Sequence, residues 1–314
     1  GATRSSPLST ENRSNSRCFL RMDHLCYYIH SAFHQFVIRI EIVTMDQIAH
    51  SPLEEPGASD LLRDDRGGIA WLTLNRPAAR NALSLELMTS LLGEIDEIAT
   101  NPSIRAVVLA ANGPAFCAGH DLRQIRANPN RAYYESTLAK CVSVMLAIMR
   151  CPKPVIARVQ GIASAAGCQL VATCDLAVAA TDAQFATPGV HIGLFCSTPM
   201  VALSRNIGRK EAMEMLLLGA PVTADRAREL GLVNRVVPAD RLDSTIQEMT
   251  DTLLAKSPLT LAIGKEAFYR QIEMTTEDAY TYAGDVMVRN MLAEDSEEGI
   301  SAFLEKRTPV WRGR

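Results

Sequence analysis

The sequence predicts an α/β fold with buried strands and a helical tail, on three observations. Short runs of branched apolar residues recur along the chain, each bounded by Gly, Pro or small residues. Segments with apolar residues three and four apart stand between them. After Pro238 the pattern is helical almost to the end. Taken in order, "GIAWLTLN" (68–75) is the first convincing strand, and "SLELMTSLLGEIDEIA" (84–99) is an amphipathic helix with Ser84 as N-cap. "AVVLAA" (106–111), "PVIARVQG" (154–161) and "DLAVAA" (175–180) are further buried strands, and "SAAGCQLVATC" (164–174) follows the second of them. "EAMEMLLLGAPVTADRARELGLVNRVVP" (211–238) holds two helices, the first closed at Gly219 and the second capped by Thr223.

Bulk composition narrows the function classes. The chain has 314 residues, 47% hydrophobic and 21% charged, the balance of a globular protein that could build one large unit or two domains. A formal charge of −3 offers no basic surplus for a phosphate backbone, so nucleic acid is not an expected partner. No apolar run reaches the roughly 20 residues needed to cross a bilayer, so no membrane association is expected. The eight cysteines form no C-x-x-C pair, and no His stands at zinc-ligand spacing. Reduced thiols in a cytoplasmic compartment and no metal site are expected.

Residues 1–58 differ from the rest and are expected to be an irregular extension. The first stretch is rich in Ser, Arg and Asn, and "CYYIHSAFHQFVIRIEIV" (26–43) is apolar without clear period. Met45 is a candidate alternative start. The acid-poor, Arg-rich beginning also resembles a transit peptide, which makes the mitochondrial matrix the alternative location.

Two loops are alike. "AFCAGHDL" (115–122) and "QGIASAAGCQL" (160–170) each lead from a buried strand through small residues into a helix. Backbone N–H groups at a helix start lack intrahelical acceptors and point outward toward negative charge. Side by side, one donor from each loop could meet at a single oxygen atom, forming an oxyanion hole. Tight strand–helix packing would also call for small residues, and spacing alone leaves both explanations open.

From about residue 60 to 314 the chain resembles the crotonase, or enoyl-CoA hydratase/isomerase, superfamily. The resemblance is carried by "LTLNRPAARNALS", "GPAFCAGHDL", "KPVIARVQGIASAAGCQL", "CDLAVAATDAQFATPGVHIGL", "LLLGAPVTADRARELGLVNRVVP" and "EGISAFLEKRTPVW", in the family's order. It implies a crotonase-type spiral of ββα units over 59–250 and a C-terminal helical region over 251–314 that forms trimers, commonly paired into hexamers. It also implies a coenzyme A thioester as substrate, with no separate cofactor. The backbone amides of Ala118 and Ala166 would be the oxyanion donors. Ala78, Arg80, Gly119 and Asp121 would line the coenzyme site, and Phe303 and Lys306 would reach a coenzyme bound to a neighbouring subunit.

The chain departs from the family at its acid–base residues. Hydratases of this kind use two glutamates to hold and activate water, and here the matching positions are Gln169 and Gly189, neither able to carry a proton near neutral pH. A third position, aspartate in some dienoyl-CoA isomerases, matches Ser197. His120 adjoins a proposed donor and has an ordinary pKa near neutrality, so it is the candidate proton carrier. Asp121 also suits a helix N-terminus, His191 and Cys196 follow the second lost glutamate, and Gln169 could orient a water or the thioester. The expected activity is enolate stabilisation with weak or no conventional hydration. A non-catalytic acyl-CoA-binding or partner-binding homologue and a thioester hydrolase are the alternatives. Ser164 lies outside any G-x-S-x-G elbow, and there is neither a G-x-G-x-x-G nor a P-loop.

Overall fold

The computed structural model describes residues 59–314. The expected extension over 1–58, with its candidate transit segment, the Met45 start, Cys18 and Cys26, lies outside the described residues.

Two sheets form the frame. β1 (Leu61–Arg66) pairs antiparallel with β2 (Ile69–Leu74), and β2 is followed by helix α1 (Leu85–Thr100). Ser84 caps α1 by accepting a hydrogen bond from the Leu87 N–H, as its sequence position predicts. The next three strands each end at a sharp corner and a shorter partner strand. β3 (Ala106–Ala111) is followed by β4 (Ala115–Cys117), then α2 (Leu122–Ala127) and α3 (Arg131–Arg150). β5 (Val155–Val159) leads to β6 (Ile162–Ser164) and α4 (Ala166–Thr173). β7 (Leu176–Ala180) leads to β8 (Gln184–Ala186), a 3₁₀ turn over Pro188–Ile192, α5 (Pro199–Asn206) and α6 (Arg209–Leu218).

Each coil therefore adds one strand to a large sheet and one to a small sheet. The large sheet runs β1-β2-β3-β5-β7-β10, where β10 is Arg235–Val237, and is parallel except for β1. The small sheet runs β4-β6-β8-β9, where β9 is Val222–Thr223, and only its last pair is antiparallel. This is the ββα spiral that the resemblance implies. Parallel strands need crossovers, and covering helices make them buried, which is why β3 is apolar along its whole length.

The core lies between the large sheet and its helices. Leu72, Leu74, Leu109 and Ile156 from the sheet meet Leu87, Leu91 and Ile98 of α1 and Ile148 of α3, all fully buried. Gly219 closes α6 in the left-handed region, and Thr223 caps α7 (Ala224–Leu230), both as their sequence positions predict. The remaining helices are α8 (Leu242–Leu254), α9 (Pro258–Gln271), α10 (Thr276–Met291) and α11 (Glu294–Glu305). α8 buries Leu242, Ile246 and Met249, whereas α9 and α10 bury no residue fully.

Candidate active site

The small sheet brings the two similar loops together. β4 and β6 are parallel neighbours, with Cys117 opposite Ala163, so both strands release their chains at the same sheet end. A methyl group at Gly167 would overlap the Cys117 carbonyl, so the second turn comes this close only because residue 167 has no side chain. Gly119 has φ +101, and a Cβ there would stand 3.0 Å from the Ala165 Cβ and 3.4 Å from the Ala166 nitrogen. The turn at 118–121 and the start of α4 are in van der Waals contact.

Accounting for the amides identifies which are available, because a backbone N–H either has an acceptor or awaits one. In the first turn, the Ala118 N–H donates to the Arg80 carbonyl at 3.0 Å. The Gly119 N–H faces the Cys117 sulfur, while burial pushes that thiol up to about 12. Asp121 N–H donates to the Leu83 carbonyl at 3.0 Å, and Leu83 N–H to the Gly119 carbonyl at 2.7 Å. These two bonds make a parallel bridge centred on His120, whose own N–H therefore points away from Leu83 and has no acceptor among the described residues. The free donor of this turn is His120 N–H. That is a correction to the sequence expectation, which placed it at Ala118, and the reason is the Arg80 carbonyl. Arg80 and Asn81 both lie at positive φ, 50° and 54°, which aims that carbonyl at Ala118.

In the second turn Ala165 N–H donates to the Ala186 carbonyl at 2.8 Å, and Gln169 N–H donates to Ala165 O at 3.0 Å. Ala166 opens α4, so its N–H has no intrahelical acceptor. Ala165 is held at φ 49°, ψ −115°, a conformation that favours glycine, with no side-chain cap on the helix.

The side chains divide into partnered and unpartnered ones. Asp121 is buried and committed: its Oδ1 caps α2 through the Arg123 and Gln124 N–H groups at 3.0 and 3.2 Å, and its Oδ2 pairs with Arg76 at 3.1 Å. The helix-terminus role foreseen for Asp121 is thus the one its carboxylate performs. His120 has neither ring nitrogen hydrogen-bonded and both enclosed, and burial lowers its pKa, so the ring is neutral near pH 7. Gln169 is 5% exposed, and its Oε1 accepts a long bond from the Cys141 thiol at 4.0 Å. The Cys141 and Cys168 thiols are likewise pushed up to about 12 by burial, which keeps them protonated and unreactive.

Gly189 is sterically closed. A Cβ there would meet the Leu194 carbonyl at 2.7 Å and Cys196 Sγ at 3.0 Å, so the segment could not accept a glutamate without moving. His191 and Ser197 are exposed. Ala78 and Arg80 are exposed on the loop after β2, beside the first turn through the Arg80 carbonyl. Phe303, 82% exposed, and Lys306 stand at the end of α11, where Lys306 adopts φ 57° as the helix C-cap. A lysine at a position that favours glycine is strained by about 1 kcal/mol. No cluster of metal-ligating side chains occurs among the described residues, and no helix among them is long and apolar enough to cross a membrane.

Two strand-to-helix turns that touch, each leaving one backbone N–H without an acceptor among the described residues, stand on an α/β spiral of the crotonase type. The chain belongs to the enoyl-CoA hydratase/isomerase family, whose model matches residues 64–314. It is 42% identical over 260 residues to rat "Enoyl-CoA hydratase domain-containing protein 3, mitochondrial", covering 83% of this chain and 86% of the rat protein. It is 34% identical to the 2,3-dehydroadipyl-CoA hydratase of Escherichia coli, covering 82% of this chain and all of that one. Among solved structures, an enoyl-CoA hydratase of Mycobacterium smegmatis superposes with a TM-score of 0.80 at 57% identity, covering 81% of this chain and 99% of that chain. Human enoyl-CoA hydratase domain-containing protein 3 superposes with a TM-score of 0.79 at 41% identity, covering 81% and 100%.

Proposed function

We propose that this member of the family acts on acyl-CoA thioesters and stabilises a thioester enolate between the backbone N–H groups of His120 and Ala166. The observation that carries the reading is the pair of amides left unspent where the two turns touch, when the neighbouring amides of the first turn are taken. Two preorganised donors on the carbonyl oxygen make the α-carbon acidic, and removing one such donor costs about 3–4 kcal/mol of barrier.

Conventional hydration is expected to be weak or absent. It needs paired proton carriers, and Gln169 and the closed Gly189 supply none. His120, neutral and unpartnered, is the group able to move a proton. In the coenzyme site, exposed Arg80 offers a cation to phosphate, with exposed Ala78 giving a bare surface, while Gly119 is buried and serves only by letting the turns approach. The Asp121 carboxylate serves that site only by fixing the turn. The apolar side chains left open on α10 and α11, among them Met287, Met291, Ile300 and Leu304, suit an assembly region over 251–314 and hence a homotrimer or hexamer. In such an assembly Phe303 and Lys306 would serve a neighbour's coenzyme. The mitochondrial names of the rat and human-type relatives favour the matrix over the cytoplasmic expectation.

The experiment is a panel of acyl-CoAs assayed for turnover and for binding. Turnover of at least one, with crotonyl-CoA hydration ~100-fold or more below that of a relative with both glutamates, supports the reading. Tight binding of the whole panel with no turnover would instead favour a non-catalytic acyl-CoA-binding role, which the closed Gly189 also suits. Loss of free coenzyme A release on His120→Ala, with acyl-CoA binding kept, would identify a thioester hydrolase.

A further inference from the structure

Asn81 follows exposed Arg80 in the loop after β2, yet it is itself 0% exposed. Its Oδ1 accepts from the Arg76 N–H at 2.8 Å, and its Nδ2 donates to the carbonyls of Asn112 and Ala115, both at 2.8 Å. A side-chain amide has two N–H donors, and here both are spent on main chain. Its backbone N–H donates to the Arg76 carbonyl at 2.8 Å, and its φ of 54° lies in the left-handed region, which asparagine bears better than most residues with a side chain. One buried residue therefore ties three segments: the loop from Arg76, the residue that ends β3, and the first residue of β4. β4 runs directly into the turn at 118–121. The same loop supplies the Arg80 carbonyl that takes the Ala118 N–H, and Leu83, which bonds to the chain on both sides of His120. No bond runs from the Asn81 side chain to that turn, so whatever it does there it does by setting the distance between loop and strand.

We infer that Asn81 is the positioning residue of the first oxyanion donor: it holds the loop against β4 so that Arg80 and Leu83 consume the neighbouring bonds and leave the His120 N–H aimed at the acyl oxygen. This rests on the oxyanion reading above. Substrate binding draws on the whole coenzyme and tolerates a small shift of the turn, whereas charge gathering on one oxygen does not. Loss of the side chain should therefore weaken the transition state far more than the bound ground state.

The test uses Asn81→Gly, which keeps the left-handed backbone without steric cost and removes the three side-chain bonds. Thr250→Val serves as control, since Thr250 is equally buried but lies in α8 and bonds only to Ile246 and Gln247 carbonyls. Butyryl-CoA labelled with ¹³C at its carbonyl reports donor alignment by isotope-edited infrared spectroscopy, because hydrogen bonds lower the C=O stretch. In the wild type and in Thr250→Val the bound carbonyl should be shifted down relative to water. In Asn81→Gly that extra shift should fall by about half, with kcat on the best panel substrate down ~10- to 100-fold and KM changed less than about threefold. Asn81→Asp keeps the size and the acceptor but loses at least one donation, so it should move the same way, and it carries the test if the glycine variant does not fold. A full carbonyl shift in a folded Asn81 variant, or equal losses in kcat and KM, would overturn the inference and leave the oxyanion reading standing. No extra shift in the wild type would overturn that reading itself.

Discussion

The two turns that meet at the site are built on opposite plans. The first is compliant: Gly119 takes its positive φ without a side chain, and the turn is tied down from outside by Arg80, Leu83 and Arg76. The second is stiff: it opens a helix buried along its length and places an alanine, Ala165, where the backbone favours glycine. One donor is fixed by hydrogen bonds from neighbours and the other by helix geometry and packing. The difference teaches that an unspent backbone N–H cannot be read from small residues alone. In the first turn the smallest residues, Ala118 and Gly119, spend their amides locally, and the donor falls to a histidine.

The change expected to do most damage attacks the contact between the turns. Gly167→Ala sets a methyl against the Cys117 carbonyl, a backbone atom with nowhere to go. It should cost ~1–3 kcal/mol of stability by overpacking and ~100-fold or more in turnover as the donors separate. Thermal melts and kcat on the best panel substrate measure both. A variant that melts like the wild type and keeps its kcat would show that the turns need not touch.

Next in size is His120→Ala, which keeps the amide and removes the ring. Acyl-CoA binding should persist while turnover falls ~100-fold or more if the imidazole carries a proton. The same ring gives a pH signature. Its folded pKa lies below the unfolded value of about 6.5. The unfolded chain therefore takes up a proton first as pH falls, and the stabilisation present above about 6.5 is lost toward the lower folded pKa. Urea melts at pH 7.5 and 5.5 should show a smaller decline in His120→Ala than in the wild type. An equal decline would place the cause in other groups and the ring in water.

The large sheet was legible because β2, β3, β5 and β7 are five or six residues long and apolar. The small sheet was not, because β4, β6 and β8 have three residues each, too few for any period to show. β1 was missed for another reason: "LLRDDR" is an edge strand with exposed charge and carries no apolar alternation. The site was legible as two small-residue loops, and His120 was marked for its ring. Its amide was hidden, since the direction of an N–H depends on the Leu83 bridge and on the Arg80 carbonyl, both distant in sequence.

The smallest expected effect tests the stiff turn directly. Ala165→Gly removes a Cβ from a backbone held at φ 49°, ψ −115°, relieving strain of ~1–3 kcal/mol, while the freer unfolded glycine gives back ~0.4–1 kcal/mol. The net should be a modest gain in stability, seen as a melting temperature raised by a few degrees. Turnover should change by less than about threefold, because the Ala166 N–H is aimed by the first turn of α4 and not by the residue before it. A gain in stability with a large loss in turnover would mean that the strained alanine itself holds the donor in line, and that both turns are positioned by their neighbours after all.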